Sequence, residues 1–97
     1  MFKTKKLDII TTSSYKKSFK KLAKSGIFPV TEIDRVVDML ASGELLDKKY
    51  KDHQLRGEYK NYRECHILND LLLMYRIENK ELVLILIDIG SHSQLFG

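Results

Sequence analysis

Nowhere in these 97 residues does an apolar run approach the ~20 residues that a membrane span requires. The longest, residues 82–87, has the length of a strand. The basic start, Met1-Phe2-Lys3-Thr4-Lys5-Lys6, is followed by no apolar stretch of the kind a secretory signal carries. A single cysteine, Cys65, leaves no partner for an internal disulfide, and the expected compartment is a reducing cytoplasm. One proline, five glycines and 31% charged residues exclude a collagen-like or low-complexity chain. What is present, 43% hydrophobic and 9% aromatic residues, suffices for one modest core and a single domain over residues 1–97. Folding at this size hides about 60–65% of the unfolded surface, so the stability margin is thin.

Acidic residues are nearly missing from the first quarter. Residues 1–24 hold eight lysines against Asp8 alone, a local charge of +7, whereas residues 25–97 carry −3 and the whole chain +4. The basic character is therefore local. A second, mixed cluster gathers Lys48, Lys49, Lys51, Arg56, Lys60 and Arg63. Such patches suit a polyanion or an acidic protein, although a solvated helix face has the same composition.

Apolar periodicity sets out the elements. Residues 7–11 form a strand with β-branched content. Ser13 or Ser14 caps a helix with Tyr15, Phe19, Leu22 and Ala23 on one face and Lys16, Lys17, Lys20, Lys21 and Lys24 on the other; Gly26 stops it. Pro29, with Thr31 and Asp34 as an approximate capping box, opens a second helix on Ile33, Val36, Val37 and Leu40, and Gly43 ends it. Residues 44–61 form a long polar connection, a length that favours function. Strands follow over 62–68, 71–77 and 82–89, the last read as a central strand buried on both faces. The order β-α-α-β-β-β implies an α+β domain, a largely antiparallel sheet with a helical hairpin on one face.

Three histidines lie one each in the long connection (His53), a strand (His66) and the tail (His92). Strand alternation puts Glu64 and His66 on one face and Arg63 and Cys65 on the other, with Asp70 in the turn just beyond. If the sheet gathers these segments, imidazoles, carboxylates and the nearby Arg63, Arg76 and lysines fit metal-free RNA cleavage. A base takes the ribose 2′-OH proton, an acid protonates the leaving 5′-oxygen, and cations stabilise the phosphorane charge. Each residue alone has an ordinary explanation, Asp70 as turn chemistry above all. No His, Cys and carboxylate spacing matches a zinc site, so neither metal nor another cofactor is expected.

Three ordered pieces carry a resemblance. They are Asp52-His53-Gln54-Leu55-Arg56-Gly57 (D-H-x-L-x-G), Tyr62-Arg63-Glu64-Cys65-His66 (Y-R-[DE]-x-H) and Gly90-Ser91-His92-Ser93-Gln94-Leu95-Phe96 (G-[ST]-H-x-x-L-F). Together they resemble the YafQ-type branch of the RelE toxin superfamily, over about residues 50–97. The resemblance implies a RelE-like fold and the toxin of a type II toxin–antitoxin system, an endoribonuclease that cuts messages on the ribosome and so inhibits translation. It carries catalytic roles onto His53, Glu64 (usually aspartate in the family), His66, Asp70, His92 and Phe96. His92 is the expected general acid. His53 or His66, oriented by Asp70 or Glu64, is the expected base, and Phe96 stacks on a base. RNA phosphate contacts are expected from Lys16, Lys17, Lys20, Lys21, Lys24, Lys48, Lys49, Lys51, Arg63 and Arg76. The implied partners are ribosome and mRNA, and an acidic, partly disordered, DNA-binding dimeric antitoxin through which alone operator DNA is reached. No membrane is implied. A non-catalytic toxin or an inactive antitoxin-binding homologue on the same fold is the alternative, and the polar His/carboxylate set speaks for the nuclease.

Overall fold

In the computed structural model, which describes residues 6–97, the aliphatic runs of the C-terminal third become the centre of a five-stranded sheet ordered β1-β5-β4-β3-β2. Lys3 and Lys5 of the basic start lie outside the described residues. The strands are β1 (Asp8–Thr11), β2 (His53–Gln54), β3 (Arg63–Leu68), β4 (Leu71–Glu78) and β5 (Val83–Gly90). β1 runs parallel to β5, and every other pairing is antiparallel. Helices α1 (Ser13–Ser25) and α2 (Val30–Ala41) follow β1, and a short α3 (His92–Phe96) ends the chain.

One face of the sheet takes the helices. Tyr15 of α1, with Ile33, Val36 and Leu40 of α2, packs in one core with Cys65, Leu73, Tyr75 and Leu84. Each such buried aliphatic or aromatic side chain contributes roughly 1.5–3 kcal/mol. The α+β architecture expected from the periodicity is the one observed.

Several details differ from the expectation. The strand buried on both faces is β4 over Leu71 to Tyr75, in the middle of the order, and its last three residues are half-buried. β5 alternates instead, with Ile85 and Ile87 half-buried, and Leu82 stands outside it at φ 55°. The cap of α1 is Thr12, whose Oγ1 accepts from the Tyr15 N–H at 3.0 Å, one residue before the expected serines. Ala23 is exposed, and Ser18 takes the inner position by donating to Asp88 at 2.7 Å. The Thr31–Asp34 box does not form, since Pro29 occupies the cap and Thr31 already lies inside the first turn. The long connection contains two 3-10 turns, Lys48–Tyr50 and Gly57–Tyr59, and the two-residue β2. Among the described residues no helix is long and apolar enough to cross a membrane.

Candidate active site

Strand register assembles the first part of the site. β2 pairs with β3 so that His53 stands opposite Glu64, two residues before His66 on the same strand face. The Glu64 carboxylate is buried, at 5% exposure, and lies between two imidazoles. Its Oε1 is 3.3 Å from His66 Nε2 and its Oε2 is 3.7 Å from His53 Nε2. The expected shared face of Glu64 and His66 is present, and His53 joins it from the connection. A carbonyl fixes the other end of the His53 ring, with Nδ1 2.6 Å from the Lys51 oxygen. A carbonyl oxygen only accepts, so Nδ1 carries the hydrogen and Nε2 is the basic nitrogen of the neutral ring.

The second part is the tail. Ser91 and Gln94 form a reciprocal capping box that starts α3, and Gly90 leaves room for it, since a Cβ there would meet Gln94 Oε1 at 2.7 Å. His92, exposed at the first turn, donates its backbone N–H to Asp70 Oδ1 at 3.0 Å. Asp70 thus holds the mount of His92 and not the ring of His53 or His66. That corrects the expected orienting role, because of the two carboxylates it is Glu64 that lies beside both rings. Phe96 lies against His92, ring centres 5.2 Å apart, and meets Tyr59 edge-on at 5.2 Å. Across the sheet His66 pairs with Leu72 and Leu72 with Gly90, which puts the backbone of His66 roughly 10 Å from that of Gly90.

Two clefts meet at Asp70. One holds His66, Asp70, Lys49, Lys51 and the buried Tyr50; the other brings Lys21 of α1 beside Asp70, Ser91 and Gln94. The five lysines of α1 and Lys48, Lys49 and Lys51 are all exposed, and among the described residues none of them is ion-paired. Lys49 lies over the Tyr50 ring at 5.2 Å. Arg76 is paired with Glu78 at 3.0 Å. Arg63 departs from the other expected phosphate ligands. It points to the helix-covered face, where its guanidinium meets Asp52 Oδ2 at 2.9 Å and donates to the Tyr75 hydroxyl at 3.3 Å, and Tyr75 in turn donates to Asp52. The Asp52 hydrogen bond holds the Arg63 guanidinium even more firmly charged.

Cys65 lies beneath this layer with no exposure, and burial first, then Asp52 and Glu64, push its thiol up to about 12. At neutral pH it is a packed thiol facing away from His66. Among the described residues no group of three or more His, Cys, Asp or Glu is arranged to hold a metal ion. Sequence reading missed Asp52, Tyr75 and Tyr59. Asp52 stands in the D-H-x-L-x-G motif, whereas Tyr75 comes to the Arg63 side only through the β3–β4 register, which sets the two residues opposite each other.

Comparison with known proteins extends these observations. A family model described as "Bacterial toxin of type II toxin-antitoxin system, YafQ" matches residues 7–97. The chain is 33% identical over 91 residues to the "mRNA interferase toxin YafQ" of Escherichia coli (strain K12), covering 93% of this chain and 96% of that one. It is similar to a solved "metal-bound toxin from Helicobacter pylori", with a TM-score of 0.87 and 46% identity over 93% of this chain and 99% of that one. It is also similar to a chain of the E. coli "DinJ-YafQ toxin-antitoxin complex", with a TM-score of 0.82 and 30% identity over 95% and 99%.

Proposed function

The chain belongs to the YafQ family of bacterial toxins from type II toxin–antitoxin systems, and from that premise we propose that it is an mRNA endonuclease working on the ribosome. The observation that carries the reading is the meeting of the two lysine-bearing clefts at Asp70, which places Glu64-linked His66 in one cleft and the residue that mounts His92 at the junction. A phosphodiester lying there meets His66 and the lysines of the cleft walls, with the His92 backbone anchored at its edge by Asp70 and His53 reached through the shared Glu64 carboxylate.

His53 is the base. Its Nδ1 is spent on the Lys51 carbonyl, so Nε2 takes the 2′-OH proton, and Glu64 beside it stabilises the imidazolium that forms. His66, on the other carboxylate oxygen, and the lysines oppose the negative charge that gathers on the phosphorus oxygens. The 2′-oxygen bonds to phosphorus, the bond to the 5′-oxygen breaks, and His92 returns a proton to that oxygen. Phe96, braced by Tyr59, offers a ring face on which a splayed base stacks. Lys21, Lys49 and Lys51, which line the clefts, are the phosphate contacts there, while Arg76, held by Glu78, lies farther along β4. The cognate partner is an antitoxin, as DinJ is for the E. coli protein.

Purified protein added to a translation reaction, with mRNA ends mapped, tests this function. Cuts should appear only when ribosomes are present and should persist with Mg²⁺ supplied and transition metals chelated. Cleavage that zinc alone restores would replace side-chain acid–base chemistry by a metal mechanism.

The α1 lysines have their own test. As point charges on ribosomal phosphates they release counterions, so binding should weaken steeply with salt. The double variant Lys17→Glu/Lys24→Glu should bind ribosomes less tightly and flatten the salt slope by about 1 per lost contact, with the cut position unmoved. The same lysines suit an acidic antitoxin, so its affinity for the variant is measured in parallel. Unchanged ribosome binding and slope would mark the face as merely solvated.

A further inference from the structure

β2 is only two residues long, too short for its own ladder to fix its register against β3. A slip of one residue would turn His53 to the wrong side of the sheet. One further backbone bond, from the Leu55 N–H to the Tyr62 carbonyl at 3.0 Å, extends the pairing, and side chains on the opposite face add the specific restraint. Asp52 and Gln54 flank His53 and, by strand alternation, point to the Arg63 side. Asp52 accepts from Arg63 Nη2 at 2.9 Å and from the Tyr75 hydroxyl, and Arg63 Nε closes the ring on Tyr75 at 3.3 Å. Gln54 accepts weakly from Arg63 at 3.5 Å and donates to the Lys60 carbonyl. Tyr75 is 1% exposed on the central strand, so the anchor of this clasp is part of the core. Just before it, Lys51 adopts the left-handed conformation (φ 49°), which few non-glycine residues do, and it is the Lys51 carbonyl that receives His53 Nδ1.

We propose that Asp52, clasped by Arg63 and Tyr75, is a positioning residue that holds His53 opposite Glu64 in a single tautomer, with Nε2 presented for proton transfer. Burial, then the bond to Asp52, raises the Tyr75 hydroxyl well above its ordinary value, so it remains a donor. Arg63 is thereby assigned to this device and away from direct phosphate contact.

The inference rests on His53 acting as the base, and the test separates the two ideas. Asp52→Asn and Tyr75→Phe are compared with the parent by ¹⁵N NMR of the histidine rings and by cleavage rate in the translation reaction. Tyr75→Phe removes one hydroxyl and keeps the buried ring, so it serves if Asp52→Asn does not fold. In the parent, His53 should show the Nδ1–H form alone. In the variants it should average between tautomers, while His66 and His92 signals hold still and cleavage falls about 10- to 100-fold. Folded variants that keep the parental His53 signal overturn the proposal, whatever their rate. Variants that lose the single tautomer and cleave at the parental rate support the clasp and overturn His53 as the base.

Discussion

Replacing His92 with alanine should lower mRNA cleavage by roughly 10²–10⁴-fold, the usual cost of losing one proton-transfer group. Nothing in the fold should change with it. The ring is exposed, so its removal opens no core cavity. The bond that anchors the tail comes from the backbone N–H to Asp70, and the capping box uses Ser91 and Gln94; alanine keeps both. Thermal stability and antitoxin affinity should match the parent, while growth inhibition disappears. A variant that cleaves as fast as the parent removes His92 from the reaction.

Glu64→Gln should cost nearly as much, about 10²-fold or more, for a different reason. The amide fills the same buried space but carries no charge to offset an imidazolium at His53 or His66. The two histidines keep 51% and 25% of their side-chain exposure, so water solvates them once the carboxylate is gone, and the melting temperature should hold. Glu64→Asp, one methylene shorter, keeps the charge and draws back from a His53 contact already 3.7 Å long. Its rate should fall between parent and Glu64→Gln. Equal rates for all three would show that the carboxylate takes no part.

Periodicity made most of the fold legible. Tyr15, Phe19 and Leu22, then Ile33, Val36, Val37 and Leu40, mark two helical faces, and the alternating and aliphatic runs after residue 61 mark three strands. Short elements escaped, because two residues of β2 and five of α3 are too few to show a period. Ser91-x-x-Gln94 was a usable signal for α3, since it is the sequence form of a capping box. In the site, alternation paired Glu64 with His66 correctly. The pairing of Asp70 with His92, and the Asp52–Arg63–Tyr75 clasp, each join residues from separate elements. Their contacts depend on strand order and on a two-residue strand, which local pattern does not encode.

The chemistry of the severed ends tests the central claim most directly. Message cut in a translation reaction by the purified protein is isolated and its new termini are identified. Attack by the 2′-oxygen, with His53 as base and His92 as acid, leaves a 2′,3′-cyclic phosphate on the upstream fragment and a 5′-hydroxyl on the downstream one. A downstream 5′-phosphate with an upstream 3′-hydroxyl would mean that water attacked the phosphorus, and the acid–base roles given to these histidines would be wrong.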